Sequence, residues 1–202
     1  MRKKGQAMLL LWLFGVFMMG AVPWGYIVAH LRFHTDIREH GSQNIGATNV
    51  ARTLGIKAGL AVLALDALKG VAAVGLAQVF YPHQMWIIGI SGFLAILGHV
   101  FSPFLRFRGG KGIATGLGGV AMLSPGAAIV AVLAFALIAG TTRIVSVGSL
   151  GGIIGVMVWM MFFASFAYVW GFAVPAVLLT IWAHRKNWGR LIKGEEPRFS
   201  KS

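Results

Sequence analysis

Residues 144–183 form a stretch of 40 without one charged side chain, and residues 7–29, 84–105 and 112–142 are uncharged over 23, 22 and 31 residues. About 20 apolar residues cross the hydrocarbon of a bilayer, and a Lys, Arg or Asp at its centre costs roughly 3 kcal/mol. Such stretches therefore read as membrane spans. Only 11% of residues are charged and 57% are hydrophobic, against about a quarter charged in a soluble domain. A cytosolic globule, a disordered chain and a basic nucleic-acid-binding tail are excluded, although the net charge is +13. With no cysteine in the sequence, disulfides, thiol nucleophiles and Cys-based metal sites drop out as well.

The spacing predicts seven helical segments in an all-α polytopic membrane protein, with residues 1–202 as a single domain. Residues 7–29 form the first span; their apolar part exceeds a signal peptide's core of about 7–15 residues, so no cleavage is expected. Residues 58–80 form the second, although Asp66 and Lys69 lie inside it; three apart on one helical face, they neutralise each other or a ligand. Residues 84–105 give the third. Ser124-Pro125-Gly126 breaks residues 112–142 into two short helices, the first rising only roughly 18 Å at 1.5 Å per residue. Residues 144–183 hold two spans that turn near Ala164-Ser165.

Basic residues set the orientation. Arg32, Arg38, Arg52 and Lys57, then Arg106, Arg108 and Lys111, then Arg143, then six from Arg185 to Lys201 make four groups that the positive-inside rule places in the cytoplasm. Seven crossings satisfy this with the amino terminus outside and the carboxyl terminus cytoplasmic. Arg2, Lys3 and Lys4 then lie on the far side, against the rule, but are outnumbered.

Four polar segments on the basic side hold the candidate site. The first, residues 34–52, carries Asp36, Ser42, Asn44, Thr48, Asn49 and Arg52, with Gly41 and Gly46 free to take positive φ and to let a ligand near the backbone. The second places Gly109, Gly110 and Lys111 before a helix containing Thr115. Free N–H groups at a helix start, together with a lysine, would cradle an anion, though the Walker spacing is absent. The third runs from Arg143 to Ser146 and Ser149. The fourth has His184 and Asn187 on one face, beside Arg185, Lys186 and Arg190, which fit lipid headgroup anchoring. By composition alone these loops equally fit solvated turns, and the serines equally fit helix–helix hydrogen bonds. An anion transporter also remains open, with mid-span ionisable groups limited to Asp66, Lys69 and His99. The six histidines form no metal-binding pair, His99 reads as a packing residue, and nucleic-acid binding has no supporting signature.

Five ordered blocks resemble the acyl-phosphate:glycerol-3-phosphate acyltransferases of bacteria, the PlsY family. They are GSxNxGATNxxR over 41–52, LDxLKG over 65–70, GHxFSxFLxFxGGKGxAT over 98–115, RxVSxxS from 143, and HRxNxxRLxxGxE over 184–195. Gln43 stands where the family has glycine. The resemblance implies transfer of a fatty acyl group from acyl phosphate to the 1-hydroxyl of sn-glycerol 3-phosphate, giving lysophosphatidic acid and phosphate, the first step of bacterial phospholipid synthesis. It also implies a bacterial inner-membrane enzyme with seven helices and a cytoplasm-facing site; no cofactor or metal is expected. Membrane lipid is the expected partner besides the two substrates, with the soluble acyl-phosphate-forming enzyme as a further candidate whose docking place the sequence leaves open. The implied catalytic centre is Ser42, Arg52, Lys111, Ser146, His184 and Asn187, framed by Asp36, Gly41, Asn44, Gly46, Thr48, Asn49, Gly109, Gly110, Thr115, Arg143 and Ser149. Positioning is expected to dominate, with His184 mainly a phosphate ligand; whether a substrate phosphate oxygen or a protein base takes the proton is left open, His184 and Asp36 being the protein candidates.

Overall fold

The computed structural model describes residues 2–199; Lys201 of the basic tail lies outside them. The described residues are helical, without strands. Helix α1 is Arg2–Ala21, α2 Trp24–Phe33, α3 Ala47–Leu54, α4 Ile56–Phe80, α5 Met85–Val100, α6 Ile113–Leu123 and α7 Pro125–Thr142. They are followed by α8, Val145–Phe163, by α9, Phe166–Ala183, and by α10, Arg185–Ile192. Among these residues six segments are long and apolar enough to cross a membrane, and α6 is a shorter apolar helix. Their lipid-facing sides leave large side chains such as Leu11, Val79, Leu137 and Phe162 uncovered, as a bilayer solvent requires.

The first apolar stretch is not one helix. Proline at position 23 has no N–H and biases residue 22 away from helical geometry, so α1 stops at Ala21 and α2 starts at Trp24. The freed carbonyls are capped from other helices. Lys69 Nζ donates to the Gly20 and Val22 oxygens at 3.0 and 2.9 Å, and Ser102 Oγ donates to the Ala21 oxygen at 2.6 Å. Lys69 also pairs with Asp66 at 2.9 Å. The intramembrane pair of α4 thus closes a helix break.

Breaks at Ser124-Pro125 and at Ala164-Ser165 fall where the sequence places them, although α7, at 18 residues, is long enough to span. Small residues bring α4 and α6 into backbone contact: a Cβ on Gly70 would overlap the Thr115 carbonyl, and one on Gly118 the Ala67 carbonyl. Within α9, residues Val169–Ala173 form a π-helical turn, which aims the buried Phe172 at Gly92 of α5 and Gly119 of α6. Trp12 stacks edge-on with Phe80 and Tyr81 at the far end of α4. The start of α1 therefore lies away from the end where the four basic groups gather.

Candidate active site

At that end, four stretches of chain meet around a polar cavity of about 170 Å³. The first loop and α3 supply Ser42, Asn44, Gly46, Thr48 and Arg52; the turn before α6 supplies Lys111. The start of α8 supplies Ser146 and Ser149, and the chain around α10 supplies His184, Asn187 and Arg190. Asp66 and His99 reach its wall from the bundle, and Glu196 and Pro197 close it from the tail.

One buried amide holds the first loop in shape. Asn49 Nδ2 donates to the carbonyls of Ile37, His40 and Asn44, and Asn49 Oδ1 accepts the Ser42 N–H at 2.8 Å. Its N–H groups and one lone pair are spent on the loop, so Asn49 acts as a brace, although it borders the cavity. Gly41, at φ +56°, lies against that amide and serves the same purpose. Asn44 Oδ1 accepts the Gly46 N–H at 2.8 Å and starts α3. Gly46 has φ −72° and needs no left-handed freedom, whereas Gln43 takes φ +58°. The left-handed position therefore falls on the residue that replaces the family's glycine.

The glycines before Lys111 also differ from a cradle. Gly109 and Gly110 donate their N–H groups to the Val100 and His99 carbonyls, both at 3.0 Å. A Cβ on either would overlap His99. They fasten the turn to α5 and aim Lys111, while their N–H groups are no longer free for an anion.

Asp36, Thr115 and Arg143 stand outside the polar cavity. Asp36 binds Arg38 at 2.6 Å and accepts its backbone N–H at 3.0 Å; that guanidinium holds the carboxyl down at about 2. Thr115 is fully buried under α4 with an unpartnered hydroxyl. Arg143 ends α7 at φ +59° with its side chain exposed, and its carbonyl accepts the Phe199 N–H at 3.0 Å. Arg190 takes the third cationic place instead.

Sequence reasoning missed Glu196. Ser146 Oγ donates to Glu196 Oε1 at 2.7 Å, Asn187 Nδ2 to the same oxygen at 2.5 Å, and Arg190 Nε to Oε2 at 2.7 Å. Counting HRxNxxRLxxGxE from His184 puts its last letter on residue 196, beyond the 184–195 stretch, and that count was the available signal. His99 is more than packing: its Nδ1 lies 3.0 Å from Lys69 Nζ.

The electrostatics follow from burial and neighbours. Burial pushes the Lys111 ammonium down to about 8, opposed by Glu196 and reinforced by Arg190 and Arg52. Burial and the Lys111 charge push His184 down to about 4, so it is neutral at pH 7. Its Nδ1 lies 2.8 Å from the Thr180 carbonyl oxygen, which only accepts; Nδ1 therefore carries the proton and Nε2 the lone pair. Burial raises the Glu196 pKa, but the hydrogen bonds from Arg190, Ser146 and Asn187 outweigh it and hold the carboxyl below its ordinary range.

An apolar cavity of about 410 Å³ lies between α4, α6, α7, α8 and α9. Thr48, Leu63, Gly112, Ile113, Phe135 and Ser149 border both cavities, so a cationic polar chamber abuts a slot suited to an alkyl chain. On the outer side a vestibule of about 870 Å³, lined by Arg38, Arg106, Arg108, Arg185 and Lys186, reaches Ser42 and Asn44. Asp36, Gly109 and Gly110 belong to this vestibule. Among the described residues no cluster of His, Asp and Glu has the makings of a metal site.

Known proteins with this arrangement are similar throughout. The family described as glycerol-3-phosphate acyltransferase matches residues 10–194. A glycerol-3-phosphate acyltransferase of Desulforamulus reducens is 40% identical over 183 residues, 90% of each chain. Glycerol-3-phosphate acyltransferase 3 of Dehalococcoides mccartyi is 37% identical over 210 residues, covering 96% of this chain and 97% of its own. The crystal structure of PlsY (YgiH), an integral membrane glycerol 3-phosphate acyltransferase in its glycerol 3-phosphate form, superposes with TM-score 0.90 and 34% identity. The match covers 95% of this chain and 96% of that one. The same protein's lysophosphatidic acid form gives TM-score 0.87 at 32% identity.

Proposed function

The chain belongs to the glycerol-3-phosphate acyltransferase family, and from that premise we propose that it takes its acyl group from acyl phosphate. The group passes to the 1-hydroxyl of sn-glycerol 3-phosphate, giving lysophosphatidic acid and inorganic phosphate as the first step of phospholipid synthesis. The observation that carries this reading is the shared wall between the cationic polar cavity and the apolar slot. A phosphate joined to an alkyl chain through a carbonyl has the same polar-to-apolar sequence.

Arg52, Lys111 and Arg190 neutralise the phosphates, and the acyl chain lies between α4, α6 and α8. The hydroxyl oxygen attacks the acyl carbonyl carbon, a new C–O bond forms, and the bond from that carbon to the phosphate oxygen breaks. An acyl phosphate leaves readily, so alignment at about 3 Å and charge neutralisation supply most of the acceleration. With its pKa at about 4, His184 is too weak a base to hold the proton. Neutral, with its Nε2 lone pair free, it is an acceptor for a substrate hydroxyl and not the phosphate ligand expected from the sequence, and the proton ends on a phosphate oxygen. The chain works as one domain in the bacterial inner membrane, amino terminus outside, with the basic end and its cavity in the cytoplasm.

Donor choice tests the reading. Purified protein in lipid vesicles is given glycerol 3-phosphate with either palmitoyl phosphate or palmitoyl coenzyme A. Lysophosphatidic acid forms from the first alone; comparable product from the thioester would refute the donor assignment.

A further inference from the structure

Two side chains in the polar cavity spend a proton on one carboxylate. Ser146 Oγ and Asn187 Nδ2 both donate to Glu196 Oε1, while Arg190 Nε secures Oε2. The Glu196 side chain is only 7% exposed, so the arrangement is built into the wall. An ionised carboxylate accepts and never donates. The amide of Asn187 therefore has one orientation, NH2 toward Glu196, and its Oδ1 is left buried without a protein partner. Ser146 has a single proton, already given to Glu196, so its remaining capacity is that of an acceptor.

Phosphate oxygens do not bind acceptors, so Ser146 Oγ and Asn187 Oδ1 do not fit the sequence-based view of them as phosphate donors; only the second N–H of Asn187 could still donate. Hydroxyl groups do bind acceptors. The reacting hydroxyl of an acyl acceptor has to meet the acyl carbonyl where the two cavities join, beside Thr48, Gly112 and Ser149. Ser146 and Asn187 border the polar cavity alone. A hydroxyl within their reach is one that does not react.

We infer that Glu196 is a positioning residue: it turns Ser146 and Asn187 into acceptors that recognise the C2 hydroxyl of glycerol 3-phosphate. The inference rests on the acyltransferase reading and adds to it a basis for polyol selectivity. Without the carboxylate, the Asn187 amide and the Ser146 hydroxyl rotate freely and the recognition is lost. A glutamine at 196 offers a single carbonyl oxygen, for which the Arg190 Nε–H competes with Ser146 and Asn187, and retains the recognition in part.

The experiment compares kcat/KM for glycerol 3-phosphate with that for 3-hydroxypropyl phosphate, which keeps the nucleophilic hydroxyl and lacks the one at C2. Palmitoyl phosphate is the donor. A site built to hydrogen-bond a substrate hydroxyl rejects the analogue without it, so wild type prefers glycerol 3-phosphate by roughly 10⁴-fold. Glu196→Ala and Asn187→Ala bring the preference to within about threefold of unity, and Glu196→Gln lies between them and wild type. Because the readout is a ratio, it does not depend on how much variant is folded. If Glu196→Ala or Asn187→Ala slows both substrates equally and leaves the ratio at the wild-type value, the inference is overturned and Glu196 is structural only. Wild type that turns over neither substrate overturns the acyltransferase reading on which it stands.

Discussion

The Lys69 ammonium lies 2.9 Å from the Asp66 carboxylate, one turn apart on α4, with the two side chains only 4% and 2% exposed. The same ammonium caps the carbonyls of Gly20 and Val22 where Pro23 breaks the first span. Lys69→Met strands a buried carboxylate and two carbonyls together. Breaking a buried pair by removing one partner costs roughly 3–5 kcal/mol, so the variant unfolds at a clearly lower temperature in detergent. An unchanged transition would mean that the α1–α2 break is held by something else.

Gln43 adopts φ +58° with its side chain exposed. A non-glycine residue in the left-handed region carries a cost of roughly 1–2 kcal/mol, partly offset by the greater entropy glycine loses on folding. Gln43→Gly therefore stabilises the protein by roughly 0.5–1 kcal/mol and keeps full activity. Thermal unfolding alongside an activity assay checks both halves; a destabilised variant would contradict the steric account.

Gly110 packs its Cα against the His99 imidazole. In Gly110→Ala the turn bearing Lys111 has to move, and a displacement near 1 Å at a reacting centre costs on the order of 10²-fold in rate. Steady-state kinetics should show the loss in kcat as well as in KM. A purely electrostatic cradle of free N–H groups would tolerate the methyl if the backbone stayed in place, and undiminished kcat would favour it.

Lys111 titrates at about 8 because burial disfavours its charged form. Above that pH the cavity loses a cation, so kcat/KM for glycerol 3-phosphate falls as pH rises through about 8. Lys111→Arg, charged throughout, removes this alkaline limb. A profile that stays flat to pH 9.5 in wild type would mean that the lysine charge does not contribute to binding.

His184 gives a limb of the opposite sense, in stability. Its folded pKa is about 4 against 6.5 in the unfolded chain. Between those values the unfolded state holds the extra proton, so stability falls as pH drops from about 6.5 toward 4 and is unaffected above that window. His184→Gln flattens the fall. Unfolding midpoints measured from pH 7 to 4 in both proteins check this, and parallel curves would contradict it.

Spans were legible in the sequence because charge in hydrocarbon is costly, and the breaks at Ser124-Pro125 and Ala164-Ser165 because turn chemistry is local. The break at Pro23 was hidden within residues 7–29: a proline alone does not say whether a membrane helix bends or stops. Its outcome depends on Lys69 and Ser102, which are 47 and 81 residues from their partner carbonyls. The site was legible as polar residue types on one side of the membrane. Which cations face inward was not: Arg143 and Arg190 look alike in sequence, and only the path of the tail, with Glu196 reaching back to Ser146, turns one of them inward. Asn49 and Gly41 carried a real signal of constraint, but the constraint is the shape of the loop.

We place substrate-phosphate binding in the chamber that holds Arg52 and Lys111, beside the acyl slot. The most direct test is the rate of lysophosphatidic acid formation from palmitoyl phosphate and glycerol 3-phosphate by purified wild type, Lys111→Ala and Arg52→Ala in vesicles. Removing one preorganised charge from a transition-state site costs about 10²–10³-fold, so each variant should lose kcat/KM by that factor while remaining folded by thermal unfolding. Folded variants that make lysophosphatidic acid at the wild-type rate would contradict the account.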